Sequence, residues 1–253
     1  MLFFLTGDIQ TGKTRWLSDL VGELEAAGVR VAGVLAPGVW RERGEEEMTA
    51  RAAAKAAARE TRAAAKAATR ALRREGEGAD AKTGGNAQKH PDPAGEGRFE
   101  KLGIDNLLLP QHERIAFARR GDLAKEQGAY RPGSQSARAG LAWEIDDGSV
   151  ARVNAHFARL AENGAAGASG AGSSLLVVDE LGRLELLRGE GLVEAMRLLG
   201  AGPASRFPHA VAVVRKGLLE EAHAALDGVW EAVAEIAPDE RGREAVLNLF
   251  GCR

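Results

Sequence analysis

The sequence predicts an α/β fold in which helices cover both faces of a mostly parallel sheet. Short apolar, β-branched stretches have the character of buried parallel strands, at residues 2–6, 29–36, 175–179, 210–214 and, more weakly, 230–236. Amphipathic stretches with helical spacing lie between them, and strands that alternate with helices favour parallel pairing. A chain of 253 residues with 45% hydrophobic content can bury one sizeable core.

Four helices are predicted from apolar residues that recur at helical spacing. Their buried faces are Leu17, Leu20, Val21 and Leu24; Val150, Val153, Phe157 and Leu160; Leu192, Met196 and Leu199; and Leu218, Leu219, Ala222 and Leu226. Asp146 or Asp147 is available to cap the second of these helices. Residues 114–120 and 141–147 are interpreted as short strands of a side β-hairpin rather than as part of the alternating pattern.

Residues 45–98 are predicted to be a low-complexity insertion that interrupts a single domain spanning 1–253. Residues 49–75 are almost entirely alanine and basic residues, with the run Arg-Ala-Ala-Ala-Lys-Ala-Ala repeated eleven positions later. Alanine has the highest helix propensity, so a helix is expected here. Residues 76–97 are glycine-rich and polar, and we expect them to be disordered.

The eleven-residue period places seven basic residues on one side of the expected helix, and we call this set the basic stripe. Its members are Arg51, Lys55, Arg59, Arg62, Lys66, Arg70 and Arg73. Such a stripe could contact nucleic acid or an acidic partner. Because no aromatic residue lies within residues 51–74 to stack on bases, we favour a solvated helix face.

Bulk composition argues against several classes of protein. A formal charge of −2 gives no global attraction to nucleic acid or to an anionic membrane. The single cysteine, Cys252, cannot form an internal disulfide. The N-terminus lacks a basic segment typical of signal peptides, and no stretch has the length of a membrane span. The composition therefore predicts a soluble cytoplasmic protein.

The most informative motif follows the first predicted strand. Residues 7–14 fit the phosphate-binding pattern G-x-x-x-x-G-K-[ST], being Gly7, Asp8, Ile9, Gln10, Thr11, Gly12, Lys13 and Thr14. In that pattern backbone N–H groups and the start of the next helix face the phosphates. Lys13 would reach the β- and γ-phosphates, and Thr14 would be a ligand of Mg²⁺. The motif predicts a nucleoside triphosphate site.

A second set of candidate residues follows the strand at 175–179. Asp179 is the residue type that holds Mg²⁺ beside such a loop, and Glu180 is placed to deprotonate an attacking water. We expect an arginine to stabilise the transition state, with Arg183 the first candidate. Arg41, Arg43 and Arg138 are alternatives. Glu185 is expected either to orient Arg183 or to cap the helix that follows. The guanine-reading sequence Asn-Lys-x-Asp is absent, so nothing indicates selectivity for GTP.

These pieces resemble the THEP1-like nucleoside-triphosphatases, a family of small phosphate-loop proteins. The similarity covers residues 2–44 and 98–250, and its most specific part is the block Asp179-Glu180-Leu181-Gly182-Arg183-Leu184-Glu185-Leu186. The resemblance implies a three-layer α/β/α P-loop NTPase core of the RecA-like branch and Mg²⁺-dependent hydrolysis of ATP and other NTPs to NDP and phosphate. The insertion, and residues 8–11 in place of the usual Glu-Pro-Gly start of the loop, depart from the family. Substrate preference therefore stays open.

Two alternatives to hydrolysis remain at this stage. A P-loop kinase would pass the γ-phosphoryl group to a small metabolite, and it would need an acceptor pocket closed to water. A nucleotide-dependent switch or adaptor would bind a partner and use slow hydrolysis as a reset. The alanine-rich insertion is unlike a kinase lid, and Glu180 suits water activation, so we expect a hydrolase.

Overall fold

The computed structural model of the chain describes residues 1–8, 11–74, 98–162, 174–204 and 206–252. The predictions for Ile9, Gln10 and residues 75–97 lie outside this part. Side chains of helix residues 51, 55 and 66–74 also lie outside it, so the basic stripe is described only at Arg59 and Arg62, which are exposed.

The chain has an α/β fold with a mixed sheet. Its strands are β1 (Leu2–Leu5), β2 (Arg30–Leu35), β3 (Gly38–Glu42), β4 (Phe99–Leu109), β5 (Glu113–Arg120), β6 (Trp143–Ile145), β7 (Ser174–Leu181), β8 (His209–Val214) and β9 (Val233–Ile236). Its helices are α1 (Lys13–Ala26), α2 (Glu45–Arg74), α3 (Gly121–Glu126), α4 (Gln135–Arg138), α5 (Asp147–Glu162), α6 (Val193–Gly200), α7 (Leu219–Leu226) and α8 (Glu240–Asn248). A π-helical turn at Leu184–Arg188 follows β7.

The strands follow the order β6-β5-β4-β2-β7-β8-β1-β9, and β3 pairs with β4. From β2 to β9 the neighbouring strands are parallel. The pairs β2·β4, β4·β5 and β5·β6 are antiparallel. The prediction of a mostly parallel sheet is therefore right for the five strands expected first. It is wrong for the rest of the sheet, because β4 was not predicted. The strands predicted as a side hairpin join the same sheet through β4.

Two cores form because successive side chains of a strand point to opposite faces of the sheet. Leu2 and Phe4 of β1 belong to a cluster that includes buried residues of α5, α6 and α7. Phe3 and Leu5 of the same strand belong to a second cluster, which includes residues of α1 and α8. The predicted faces of the first two helices are buried. Asp146 is the cap of α5, since its Oδ2 accepts from the Ser149 N–H at 2.7 Å.

The polypeptide separates into two compact units, Met1–Val39 with Lys101–Arg253, and Trp40–Glu100. In the smaller unit Arg41 forms ion pairs with Glu47 and with Glu100. The Arg43 N–H donates to the Arg98 carbonyl oxygen at 2.8 Å, so the two ends of residues 44–97 lie side by side. No helix in the part of the chain that the structure describes is long and apolar enough to cross a membrane.

The adjacent ends predict that the insertion is dispensable for folding. We expect a variant in which Asn-Gly replaces residues 44–97 to fold, because a two-residue turn can then join Arg43 and Arg98, which are already hydrogen-bonded. Its thermal midpoint should stay within a few degrees of that of the full chain, since a long surface loop contributes little to stability. Circular dichroism should show the loss of one long helix and no other change. An aggregated or molten variant would contradict this expectation.

Candidate functional site

The loop after β1 turns sharply at two glycines. Gly7 and Gly12 have φ angles of +154° and +81°, which side chains rarely allow. A Cβ atom at Gly7 would lie 3.1 Å from the Thr11 hydroxyl oxygen. Gly12 is the residue before α1 and has no side chain to cap the first N–H groups of this helix. These donors can therefore bind an anion.

Lys13 folds back over the loop that precedes it. Its Nζ donates to the carbonyl oxygens of Gly7 at 3.0 Å and of Asp8 at 2.8 Å. Burial lowers the pKa of Lys13, and the carboxylates of Glu180, Asp179 and Asp8 oppose that shift. The ammonium group therefore lies over a glycine turn and close to two strand-end carboxylates. A phosphate bound at this turn would be in contact with it.

Thr14 and Asp179 lie together although 165 residues separate them. The Thr14 hydroxyl donates to Asp179 Oδ1 at 3.4 Å, and the Ala36 N–H donates to Asp179 Oδ2 at 3.0 Å. Asp179 is buried near the end of β7, between β2 and β8. The predicted meeting of the N-terminal loop and the acidic strand end is therefore present in the fold.

Burial raises the pKa of Asp179 from its usual 3.8 to about 6, and the charge of Glu180 adds to the shift. The hydrogen bonds from Ala36 and Thr14 and the charge of Lys101 act in the opposite direction. A buried carboxylate beside a threonine hydroxyl provides hard oxygen ligands, which suit Mg²⁺. No cluster of three or more His, Cys, Asp or Glu that could hold a metal occurs in the described ranges. Mg²⁺ needs no such cluster when a substrate supplies phosphate oxygens.

The Asp179 pKa predicts a pH-dependent stability in metal-free buffer. Because the folded state holds this proton more tightly than the unfolded chain, stability is lost as the pH rises from about 4 to about 6. Asp179→Asn lacks this ionisation, so its unfolding free energy should gain about 2 kcal/mol relative to that of wild type between pH 4 and pH 8. Chemical unfolding with EDTA at the two pH values measures the gain.

Asp122→Asn is the matched control for that experiment. Asp122 is exposed and bonded to Arg120, which lowers the pKa of its carboxyl. The unfolding free energy of Asp122→Asn should show no gain relative to that of wild type as the pH rises from 4 to 8. An equal gain in both variants would mean that the burial of Asp179 is not its cause.

Glu180 is ion-paired with Arg215, a residue that the sequence analysis did not select. Arg215 directly follows β8, the strand between β1 and β7. The sequence signal was present, since an apolar strand ends in a charged residue here as it does at Asp179. Only the strand order shows that this end lies beside the loop. Arg215 is therefore the arginine that the fold brings to the carboxylates.

The other arginine candidates have different surroundings. Arg183 is exposed, and its side chain has no hydrogen bond or ion pair among the described residues. Arg138 pairs with Glu190, and Arg41 and Arg43 pair with Glu100 of the smaller unit.

Glu185 bonds to backbone rather than to Arg183. Its carboxylate accepts from the N–H groups of Gly182 at 2.9 Å and of Leu192 at 2.9 Å. Because Leu192 immediately precedes α6, the helix-capping alternative for Glu185 is the better description. The carboxylate holds the turn after β7 closed.

A cavity of about 250 Å³ extends from Thr14 and Asp179. Much of its wall is apolar and comes from β4, β5 and β6, including Ile104, Phe117, Trp143 and Ile145. Lys101, Glu180, Arg183 and Arg215 also line it. The strands at β5 and β6 were predicted, but their place in this wall was not, because it depends on β4, which the sequence did not indicate.

Comparison of this chain with protein-family models, with curated proteins and with solved structures returned no match. The function is therefore inferred from the geometry of the site.

Proposed function

We propose that the chain is a Mg²⁺-dependent nucleoside-triphosphatase that hydrolyses ATP and other NTPs to NDP and phosphate. The observation that carries the proposal is the 3.4 Å contact between Thr14 Oγ1 and Asp179 Oδ1. It joins a glycine turn with a lysine to an acidic strand end, which is the pairing that phosphoryl-transfer sites use. The proposal includes a P-loop core of the RecA-like branch and the resemblance to THEP1-like proteins.

The loop would bind the triphosphate. Main-chain N–H groups at the start of α1 would face the β-phosphate, and Lys13 would exchange the carbonyl oxygens of Gly7 and Asp8 for phosphate oxygens. Thr14 and Asp179 would hold Mg²⁺, which neutralises charge on the β- and γ-phosphate oxygens. The γ end of the triphosphate would lie toward Glu180, which lines the same cavity as Thr14 and Asp179.

Glu180 would accept the proton of the attacking water. Its side chain is partly exposed and ion-paired with Arg215, so it can reach a solvent molecule in the cavity. Arg215 holds the carboxylate in place before substrate binds, and it would act as a positioning residue for Glu180. Arg183 lines the same cavity and has no carboxylate partner among the described residues, so it would be available to stabilise charge on the γ-phosphate.

The test is phosphate release from ATP, GTP, CTP and UTP with Mg²⁺, with and without RNA or DNA. We expect release without any added acceptor, and none when EDTA replaces Mg²⁺. Stimulation by nucleic acid would favour a role for the basic stripe. Tight nucleotide binding without turnover would favour the switch or adaptor and contradict hydrolysis.

The cavity favours a small-molecule kinase as the second candidate function. A kinase needs an acceptor pocket next to the γ-phosphate, and the apolar space beyond Asp179 and Glu180 has that position. In this alternative Glu180 would accept the proton of a ligand hydroxyl instead of that of water. Transfer of labelled γ-phosphate from ATP to an added metabolite would separate the two candidates.

A further inference from the structure

The wall of the cavity includes a buried amide that has no hydrogen-bond partner in the part of the chain that the structure describes. Asn106 of β4 is 1% exposed, and neither its Oδ1 nor its Nδ2 has a hydrogen-bond partner among the described residues. A buried polar atom left unpaired destabilises a fold, so unpaired amide atoms in a cavity wall point to a ligand. Asn106 lines the same cavity as Thr14 and Asp179.

Strand β4 runs from the charged part of the site to this amide. The pKa of Lys101 is lowered by burial and raised by the charges of Glu180 and Asp179, so the lysine lies near both carboxylates. Five positions further along, Asn106 would face the opposite side of a regular strand. Both residues nevertheless line the cavity, so β4 does not keep a strict alternation of faces between them.

The remaining wall suits a flat ring. Phe117 and Trp143 contribute aromatic side chains, and Ile104 and Ile145 contribute aliphatic ones. A dry protein cavity of about 150 Å³ accommodates benzene, so about 250 Å³ accommodates a larger ring system or a ring with a substituent. Apolar walls with one placed amide are typical of sites for small heteroaromatic molecules.

We propose that this cavity binds a nucleobase or a nucleoside as a second ligand, distinct from the triphosphate. The Asn106 amide offers a donor and an acceptor side by side, which matches the donor–acceptor edge of a base. The base would lie at Asn106, and the substituent would point along β4 toward Lys101 and Glu180. The place of that substituent beside the γ-phosphate rests on the proposed function, whereas binding of the base does not.

The experiment is isothermal titration of the full chain with adenosine, guanosine, cytidine and uridine in the presence of saturating Mg²⁺ and ADP. ADP occupies the proposed triphosphate site, so added nucleoside reports only a second site. We expect at least one nucleoside to bind with a dissociation constant below about 1 mM. Failure of all four to bind would overturn the proposal.

Asn106→Leu tests the amide, because leucine has a similar size and offers no donor or acceptor. We expect it to weaken nucleoside binding at least about tenfold, while the thermal midpoint stays equal or rises because two unpaired buried polar atoms are removed. Gln111→Leu, in the exposed turn after β4, is the matched control and should bind as wild type does. Unchanged binding by Asn106→Leu would place the ligand elsewhere.

A second variant keeps the test decisive if Asn106→Leu does not fold. Leu141 is partly exposed and lines the cavity, so Leu141→Trp should fill part of it and weaken nucleoside binding without disturbing a buried core position. Full binding by this variant would contradict the proposal. A separate titration with ADP shows whether the triphosphate site exists. If ADP does not bind, the nucleoside titration repeated without ADP still measures binding at the second site. Failure of either site is therefore distinguishable from failure of the other.

Discussion

Lys13→Ala is expected to reduce turnover of ATP on the order of a hundredfold to a thousandfold. The ammonium group bonds to the loop itself, through the carbonyl oxygens of Gly7 and Asp8. The ammonium group can exchange those carbonyl oxygens for phosphate oxygens. Loss of one preorganised charge at a developing transition state lowers the rate on the order of a hundredfold to a thousandfold. Lys13 also contributes to ground-state binding, so both kcat and kcat/KM should fall.

Lys125→Ala is the control for that variant. Lys125 lies in α3 over the ring of Tyr130, on an exposed surface, and its loss removes the same charge from the protein. The control should hydrolyse ATP at the wild-type rate. Thermal unfolding of both variants checks that each is folded. Wild-type activity in Lys13→Ala would contradict the assignment of residues 7–14 as the phosphate site.

Glu180→Gln should retain ATP binding and slow hydrolysis on the order of a hundredfold or more. Glutamine keeps the shape of the side chain and can still accept from Arg215, but it cannot take a proton from water at neutral pH. In the proposed site, ATP binding depends on the loop and on Asp179, which this substitution leaves in place. A fluorescent ATP analogue measures affinity, and single-turnover phosphate release measures the chemical step.

Glu190→Gln is the matched control for Glu180→Gln. Glu190 is also paired with arginines, Arg188 and Arg138. Its substitution should leave both affinity and rate unchanged. If Glu180→Gln hydrolyses ATP at the full rate, the base is another group. If it loses ATP binding as well, the carboxylate belongs to the binding site and its role as base has no support.

The local parts of this site could be predicted from the sequence, because each is a short pattern with a fixed physical meaning. The glycine turn with Lys13 and Thr14 follows a strand, and Asp179 ends another, so parallel pairing places both at one edge of the sheet. The contact between Thr14 and Asp179 follows from these two patterns. The buried faces of α1 and α5 were predictable for the same reason, since their apolar spacing is regular.

Other residues of the site could not be predicted, because their positions depend on which strands are neighbours. Arg215 reaches Glu180 only because β8 lies between β1 and β7. Lys101 and Asn106 belong to β4, whose apolar alternation is broken by polar residues. The insertion that precedes β4 also hides its pairing with β3. The sheet is mixed because β4 pairs antiparallel with β2 and with β5. The same strand supplies part of the cavity wall.

The most direct test of the central claim is X-ray diffraction from crystals grown with Mn²⁺ and a non-hydrolysable ATP analogue. Anomalous scattering locates the metal without reference to any assumed mechanism. We predict one strong peak within about 2.5 Å of Thr14 Oγ1, with Asp179 next to it and the β- and γ-phosphates on its other side. A nucleotide bound elsewhere, or a metal that contacts neither Thr14 nor Asp179, would contradict the account.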